Sequence, residues 1–165
     1  MKRMPKQYFR ACVGAVITRG EQVLILERKR HPGSWQFPQG GLEKGEAPAD
    51  AAWREVLEET GIQRDKLALL CRHPDVLTYE LPPEWRSSKT GLGQAQYWFY
   101  FSYLGEDADI TPDDREFTAA RWVPMREAVA GVVAFRRPIY RRLREHLPAA
   151  LSHVRADAPP EPVTL

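Results

Sequence analysis

Cysteine is almost absent from this chain. Cys12 and Cys71 are its only two among 165 residues, too few for a disulfide framework. With four scattered histidines they form no Cys/His set spaced for zinc. Both cysteines sit in apolar, strand-like stretches, which suits small buried hydrophobes in a reducing compartment. Long hydrophobic runs are also missing: none approaches the ~20 residues that span a bilayer. Met1 to Arg10 is basic but leads into no apolar stretch with a cleavage site. No signal peptide is therefore expected, and the sequence reads as that of a cytoplasmic protein with no membrane association. An excess of one charge sign is lacking too. The net charge is +2, from 24 Lys and Arg against 22 Asp and Glu, which excludes a chain that binds nucleic acid through its overall charge.

The charge that is present is clustered. Arg28, Lys29, Arg30 and His31 form one basic group; Arg136, Arg137, Arg141, Arg142 and Arg144 form another, which by itself suits a solvated helix face. The length suits one domain. It is expected over residues 1–147, followed by an Ala/Pro-rich, flexible tail over 148–165. No internal repeat is visible, and no stable protein partner is implied.

Val- and Ile-rich Cys12–Thr18 reads as a strand, followed by a turn at Arg19–Gln22 and a second strand at Val23–Glu27. Residues 28–46 carry Pro32, Gly33, Pro38, Gly40, Gly41 and Gly45 and read as loop, with Trp35 and Phe37 available to pin it to the body. Pro48–Thr60 is the clearest helix. Pro48 fits its first turn and Gly61 its left-handed C-terminal position, while Ala52, Trp53, Val56 and Leu57 are expected to face the core. Leu67–Cys71 and Val76–Tyr79 are further strand candidates, and 82–93 is a polar loop. Gln94–Leu104 carries six aromatics between Tyr97 and Tyr103, a run expected to be buried on both faces. Phe117–Val123 reads as a strand, Met125–Ala130 as a short helix and Pro138–Leu147 as a basic helix with Ile139, Leu143 and Leu147 on one stripe. Strands before and after a single well-marked helix, with another helix closing the chain, predict an α/β sandwich with a mixed sheet between helices.

One feature of the 48–60 helix works against helix stability. Glu55, Glu58 and Glu59 stand at i, i+3 and i+4, on the face expected to lie opposite the core. At 100° per residue they share an arc of roughly 100°. Like charges at this spacing repel, and near the C-terminal end they also oppose the helix dipole. A hard divalent cation resolves that conflict, because Mg²⁺ or Mn²⁺ takes oxygen ligands. A solvated acidic face is the commoner explanation of three glutamates alone. The surroundings reverse this preference. Arg54 precedes Glu55 and reaches Glu58 at i+4, and a glycine-rich stretch, Gln39 to Glu46, leads into the helix.

Taken as one string, Gly40, Glu46, Arg54-Glu55-Val56, Glu58-Glu59 and Gly61-Ile62 fill every fixed position of the Nudix box, G-x5-E-x7-R-E-U-x-E-E-x-G-U, where U is a bulky aliphatic residue. The chain thus resembles Nudix hydrolases. The resemblance implies a Nudix α/β/α sandwich and metal-dependent attack of water on a phosphorus of a nucleoside diphosphate derivative. It implies Glu55, Glu58 and Glu59 as ligands of Mg²⁺ or Mn²⁺, with the backbone carbonyl of Gln39 as a further ligand. Arg54 is implied to orient a glutamate within the catalytic set, and Glu46 to brace the loop. The resemblance leaves open which carboxylate is the general base.

Four further strings, Ser34–Gly41, Leu77–Pro82, Gly93–Phe99 and Val133–Tyr140, are similar to one Nudix branch. That branch contains bacterial RNA pyrophosphohydrolase and the plant-type asymmetric diadenosine tetraphosphate hydrolases. In it a Pro-Glu-Phe string supplies another metal-binding glutamate. Here the string is Arg115-Glu116-Phe117, which implies Glu116. Arg10, Arg28, Tyr79, Phe135 and Arg136 match positions that hold phosphate or base. Guanidinium suits polyphosphate oxygens, and an aromatic ring suits a base or, equally, the core. Gln94 and Gln96, alternate residues of one strand, are candidates to face the site.

Two substrates fit this reading. One is a dinucleoside polyphosphate, with diadenosine tetraphosphate giving ATP and AMP. The other is 5′-triphosphorylated RNA, which would release pyrophosphate and calls for a basic track. The Tyr79–Pro83 string resembles the plant-type hydrolases slightly more. A non-catalytic nucleotide-binding module and a nucleoside triphosphate clean-up pyrophosphatase are the alternatives. The intact glutamates oppose the first of these and the chain-wide resemblance opposes the second.

Overall fold

The computed structural model describes residues 7–156. Its centre is a parallel pair, β1 (Phe9–Arg19) and β7 (Gly93–Tyr103), in register from Phe9↔Gly93 to Thr18↔Ser102. On one side of the pair, β1 is joined antiparallel by β2 (Gln22–Arg28), which in turn pairs β3 (Trp35–Gln36) and β8 (Phe117–Pro124). On the other side, β5 (Leu67–Arg72) and β6 (Leu77–Glu80) both run antiparallel to β7. Among the described residues the sheet is mixed and has eight strands, with β4 (Gln39–Gly41) added to the start of β1.

Side-chain alternation along the central pair sorts the core into two layers. Val13, Ala15, Ile17, Phe99, Phe101 and Tyr103 point to one face, where α1 (Pro48–Thr60) covers them with Ala51, Ala52 and Val56. Val16, Trp98 and Tyr100 point to the other, under α2 (Met125–Gly131) and α3 (Arg137–Ala156). The aromatic run is therefore buried on both faces, as its composition predicts, and the α/β/α sandwich follows.

Three expectations are corrected. The stretch 28–46 is not all loop. β2 pairs only the end of β1, at Thr18 and Arg19, so the backbone edge at Cys12–Gly14 remains open and β4 occupies it. Within this stretch Phe37 does act as the pin: it is fully buried, stacks on Tyr140 at 4.5 Å, and its N–H donates to the Tyr140 hydroxyl at 2.8 Å. Leu57 does not face the core. It is 45 % exposed, because it lies about 140° around the helix from Ala52.

The last helix does not stop at Leu147, and the segment expected as a flexible tail from Pro148 is helical as far as Ala156. Ile139, Leu143, Leu147 and Ala150 continue one buried stripe. A proline inside a helix costs about 3 kcal/mol. Here Pro148 is exposed, so the carbonyl of Arg144 that loses its donor reaches water, and burial beyond it continues the helix. Residues 157–165 of that expected tail, and Met1–Lys6 of the basic N-terminus, lie outside the described residues. No helix among the described residues is long and apolar enough to cross a membrane.

Candidate active site

The acidic helix meets the sheet at β4. The α1 helix begins with Pro48 at its first turn and ends at Gly61, whose φ of 69° is left-handed and whose N–H donates to Leu57 O at 2.9 Å. Ala52, Val56 and Glu59 fall within about 60° of one another on the helix, so Glu59 continues the core-facing stripe. The expected placement of the three glutamates opposite the core is thereby corrected: Glu59 is 3 % exposed, and only Glu58 stands well out in solvent. Glu59 Oε2 accepts a hydrogen bond from the Gln39 N–H of β4 at 3.1 Å. The Glu55 carboxyl lies directly over Gly40, where any Cβ would collide with it, so the box glycine is a steric requirement for this approach.

Arg54 ties the loop to the helix. Its Nε and Nη2 donate to Glu46 at 2.8 and 3.0 Å, and Nη2 also donates to Gly41 O at 3.0 Å. Its Nη1 donates to Glu55 at 2.8 Å and to Glu58 at 3.3 Å. Glu46 also accepts the N–H of Glu43 at 3.0 Å, closing the turn before the helix. The Arg54 guanidinium, helped by that N–H, draws the Glu46 carboxyl down to about 2. Glu59 moves the other way. Burial, and then the nearby Glu55 and Glu116 carboxylates, push it up to about 10. Burial also raises Glu55, against the pull of Arg54.

These carboxylates open onto a cleft of about 660 Å³, within the range of small-molecule sites. Glu55, Glu58, Glu59 and Glu116 line it together with Gln39, and five arginines, Arg10, Arg28, Arg30, Arg115 and Arg136, line the same space. Arg28 is half-buried, and burial beside Arg136 lowers its pKa. Arg136 Nη1 donates to Gln36 Oε1 at 2.7 Å, leaving its buried Nε without a partner among the described residues. Gln94 lines the cleft, while Gln96 is buried beneath it and bonds Gln94 Oε1 at 2.9 Å and the Trp98 indole at 3.0 Å.

Among the described residues no three His, Cys, Asp or Glu side chains already converge on a single metal-sized point. Glu55 is held by Arg54 and Glu59 by the Gln39 N–H. The donor set nevertheless fits a hard cation: several carboxylates, one of them deeply buried, raise one another's pKa around one cleft and have oxygen to offer.

Nine of the residues placed at the site from sequence line the cleft: Arg10, Arg28, Gln39, Glu55, Glu58, Glu59, Gln94, Glu116 and Arg136. Gln96, Arg54, Tyr79 and Phe135 do not. Arg54 sits behind the glutamates as their brace. Tyr79 is a core residue, 7 % exposed, and packs against half-buried Phe135 with ring centroids 5.6 Å apart. Sequence reasoning missed Trp85, which meets the Phe135 ring edge-on at 5.3 Å and is 47 % exposed. It also missed Arg30 and Arg115 as lining residues. The first was visible only as part of a basic cluster and the second only as a departure from Pro-Glu-Phe.

Known proteins are similar to this chain in sequence and in fold. The NUDIX domain model matches residues 8–143. A protein of Cereibacter sphaeroides named RNA pyrophosphohydrolase is 40% identical over 150 residues, covering 84% of this chain and 93% of its own. One of the same name from Cronobacter sakazakii is 35% identical over 159 residues, covering 93% and 90%. Among solved structures, the C. elegans Ap4A hydrolase binary complex superposes with a TM-score of 0.65 at 22% identity, over 85% of this chain and 98% of its own. The E. coli dihydroneopterin triphosphate pyrophosphohydrolase gives 0.67 at 26% identity, over 82% and 95%. With a family match over most of the chain, a complete box and a cleft built around it, this chain belongs to the NUDIX family and is a Nudix hydrolase.

Proposed function

We propose that the protein removes pyrophosphate from 5′-triphosphorylated RNA, with Mg²⁺ or Mn²⁺ as the metal. The observation that carries this reading is the pairing of four glutamates with Arg10, Arg28 and Arg136 in one cleft. A triphosphate there would lie between a carboxylate cluster suited to cations and guanidinium groups suited to its oxygens. The relatives named RNA pyrophosphohydrolase, at 35–40% identity and nearly full coverage, support the RNA substrate.

Glu55, Glu58, Glu59, Glu116 and the Gln39 carbonyl would hold the divalent cation, which when bound neutralises phosphate charge and lowers the pKa of a coordinated water. The protein's own groups do the rest. Arg54 fixes Glu55 and Glu58 in position. Arg28 and Arg136 grip non-bridging phosphate oxygens, and Arg10 covers the Gly41 end of the cleft. The Gln36 bond to Arg136 holds that guanidinium in place, so little freedom is lost on binding.

A second reading, hydrolysis of diadenosine tetraphosphate to ATP and AMP, is favoured by one observation: the Tyr79–Phe135–Trp85 aromatic group, with exposed Trp85 able to take a second base. The test compares kcat/KM for the two substrates in parallel, with Mg²⁺ and then Mn²⁺. Preference for the RNA supports the proposal. A clear preference for diadenosine tetraphosphate replaces it with the second reading, and no turnover of either with either metal removes both.

A further inference from the structure

Two loops form one lip of the cleft, and they are fastened to each other. One runs over 29–34, between β2 and β3, and the other over 111–116, ahead of β8. The Lys29 N–H donates to Glu116 O at 2.7 Å, and Lys29 Nζ reaches Asp114 O at 2.7 Å and Asp114 Oδ1 at 3.3 Å. Each loop is also closed on itself. Arg28 N–H donates to Ser34 O and Ser34 N–H to His31 O, both at 2.9 Å, while Gly33 N–H donates to Glu27 Oε2 at 3.1 Å. In the other loop Asp113 Oδ1 accepts the N–H groups of Arg115, Glu116 and Phe117 at 3.0, 3.0 and 3.1 Å.

This bonding leaves two cations over. Asp114 is neutralised by Lys29, and Asp113 is engaged with backbone N–H groups. Arg30 and Arg115, each adjacent in sequence to this fastening, are exposed and line the cleft. Neither guanidinium has a carboxylate partner among the described residues. Glu116 is the one remaining carboxylate of the lip, and it is electrostatically coupled to Glu55 and Glu59 across the cleft. Arg28 and Arg136 are half-buried, so the inner phosphate contacts are theirs and the outer, solvent-facing positions belong to Arg30 and Arg115. Arg115 also stands where the similar branch has proline, so its charge is a feature of this chain.

We propose that Arg30 and Arg115 form a phosphodiester-backbone site that holds the RNA chain 3′ of its triphosphorylated nucleotide and selects substrates that continue beyond it. The inference rests on the RNA reading above. Each added nucleotide brings one phosphodiester charge, and guanidinium binds phosphate regardless of sequence. Diadenosine tetraphosphate has no phosphodiester to offer such a site. Because both loops are already closed, ordering them costs the substrate little.

The test is the double variant Arg30→Gln/Arg115→Gln beside the unaltered protein. Both receive a 5′-triphosphorylated RNA of about ten nucleotides and diadenosine tetraphosphate, over a series of salt concentrations. On RNA, kcat/KM should fall about tenfold, mainly through KM. The slope of its logarithm against log salt should shrink by about 1.4, at roughly 0.7 for each single-strand phosphate no longer neutralised. Diadenosine tetraphosphate should lose much less than the RNA, and Arg30→Lys/Arg115→Lys should restore the salt slope. An unchanged salt slope in the glutamine variant, or an equal loss on both substrates, overturns the lip while leaving the RNA reading intact. Failure of the unaltered protein to turn over RNA, with diadenosine tetraphosphate hydrolysed, removes the RNA reading and the lip with it.

Discussion

Replacing Arg54 by methionine keeps much of its length and removes every hydrogen bond it makes. The side chain forms five, four of them to carboxylates. Charged hydrogen bonds contribute about 1.5–3 kcal/mol each when sheltered, but they do not add, and exposed ones are screened. The bond to Glu58, whose side chain is 56% exposed, contributes little. The paired bonds to Glu46 and the bond to Glu55, whose side chains are 14% and 13% exposed, contribute most, because removing the guanidinium leaves both sheltered carboxylates without their cation. A loss of about 2–3 kcal/mol follows. For a domain of this size that lowers Tm by about 4–12 °C. Arg54→Lys, which offers a point charge in place of a planar fork, should recover part of the loss. Thermal melts of the metal-free protein read this directly. A melt for Arg54→Met within about 1 °C of the unaltered protein would refute the idea that this guanidinium joins loop to helix.

Three further outcomes follow from the site. Glu58→Gln preserves shape on an exposed helix position and removes one carboxylate from the cleft, so it should lose most turnover with an unchanged melt; near-normal activity would sink its assignment to the metal. Removing divalent ions with a chelator should abolish turnover, and Mg²⁺ or Mn²⁺ should restore it; activity that survives chelation contradicts the carboxylate assignment. Glu46 has a folded pKa of about 2 against an ordinary 4.5, so its contribution to stability is complete above about pH 4.5 and is lost as pH falls through about 2. The Tm difference between the unaltered protein and Glu46→Gln should therefore shrink steadily between pH 5 and pH 2. A constant difference would mean that the Arg54–Glu46 bond is not its source.

What could be read from the sequence was local. Pro48, Gly61 and the apolar spacing between them mark both ends of α1, because those signals act within a few residues. The aromatic strand announces a two-sided burial through composition alone. Other features depend on partners far along the chain. Glu59 reads as one of three solvated glutamates until β4 fills the free edge of β1 and covers it. Arg30 and Arg115 lie 85 positions apart and share a lip because β2 and β8 pair as far as Arg28↔Phe117 and Lys29 bonds across to Glu116 and Asp114. The helix past Pro148 defeats a correct local rule. Proline does disfavour helix, but Ala150 is buried against the sheet and tertiary packing decides.

On the proposed reading, the position of Glu59 gives up stability for chemistry. An apolar side chain there would extend the Ala52–Val56 stripe into a layer that is otherwise apolar. Instead a carboxyl is buried with a single backbone N–H as its donor, and its neighbours Glu55 and Glu116 oppose its charge. Glu59→Met, of similar volume, removes that opposition and leaves one Gln39 N–H to find another acceptor. Relief of the buried acid is worth about 1–3 kcal/mol and the orphaned N–H costs about 1 kcal/mol or more. The metal-free variant should then melt at or a few degrees above the unaltered protein, while turnover disappears. A lower Tm with turnover retained would mean that Glu59 is there to hold β4 in place, through the Gln39 bond, and would shift the cation-binding role onto Glu55, Glu58 and Glu116.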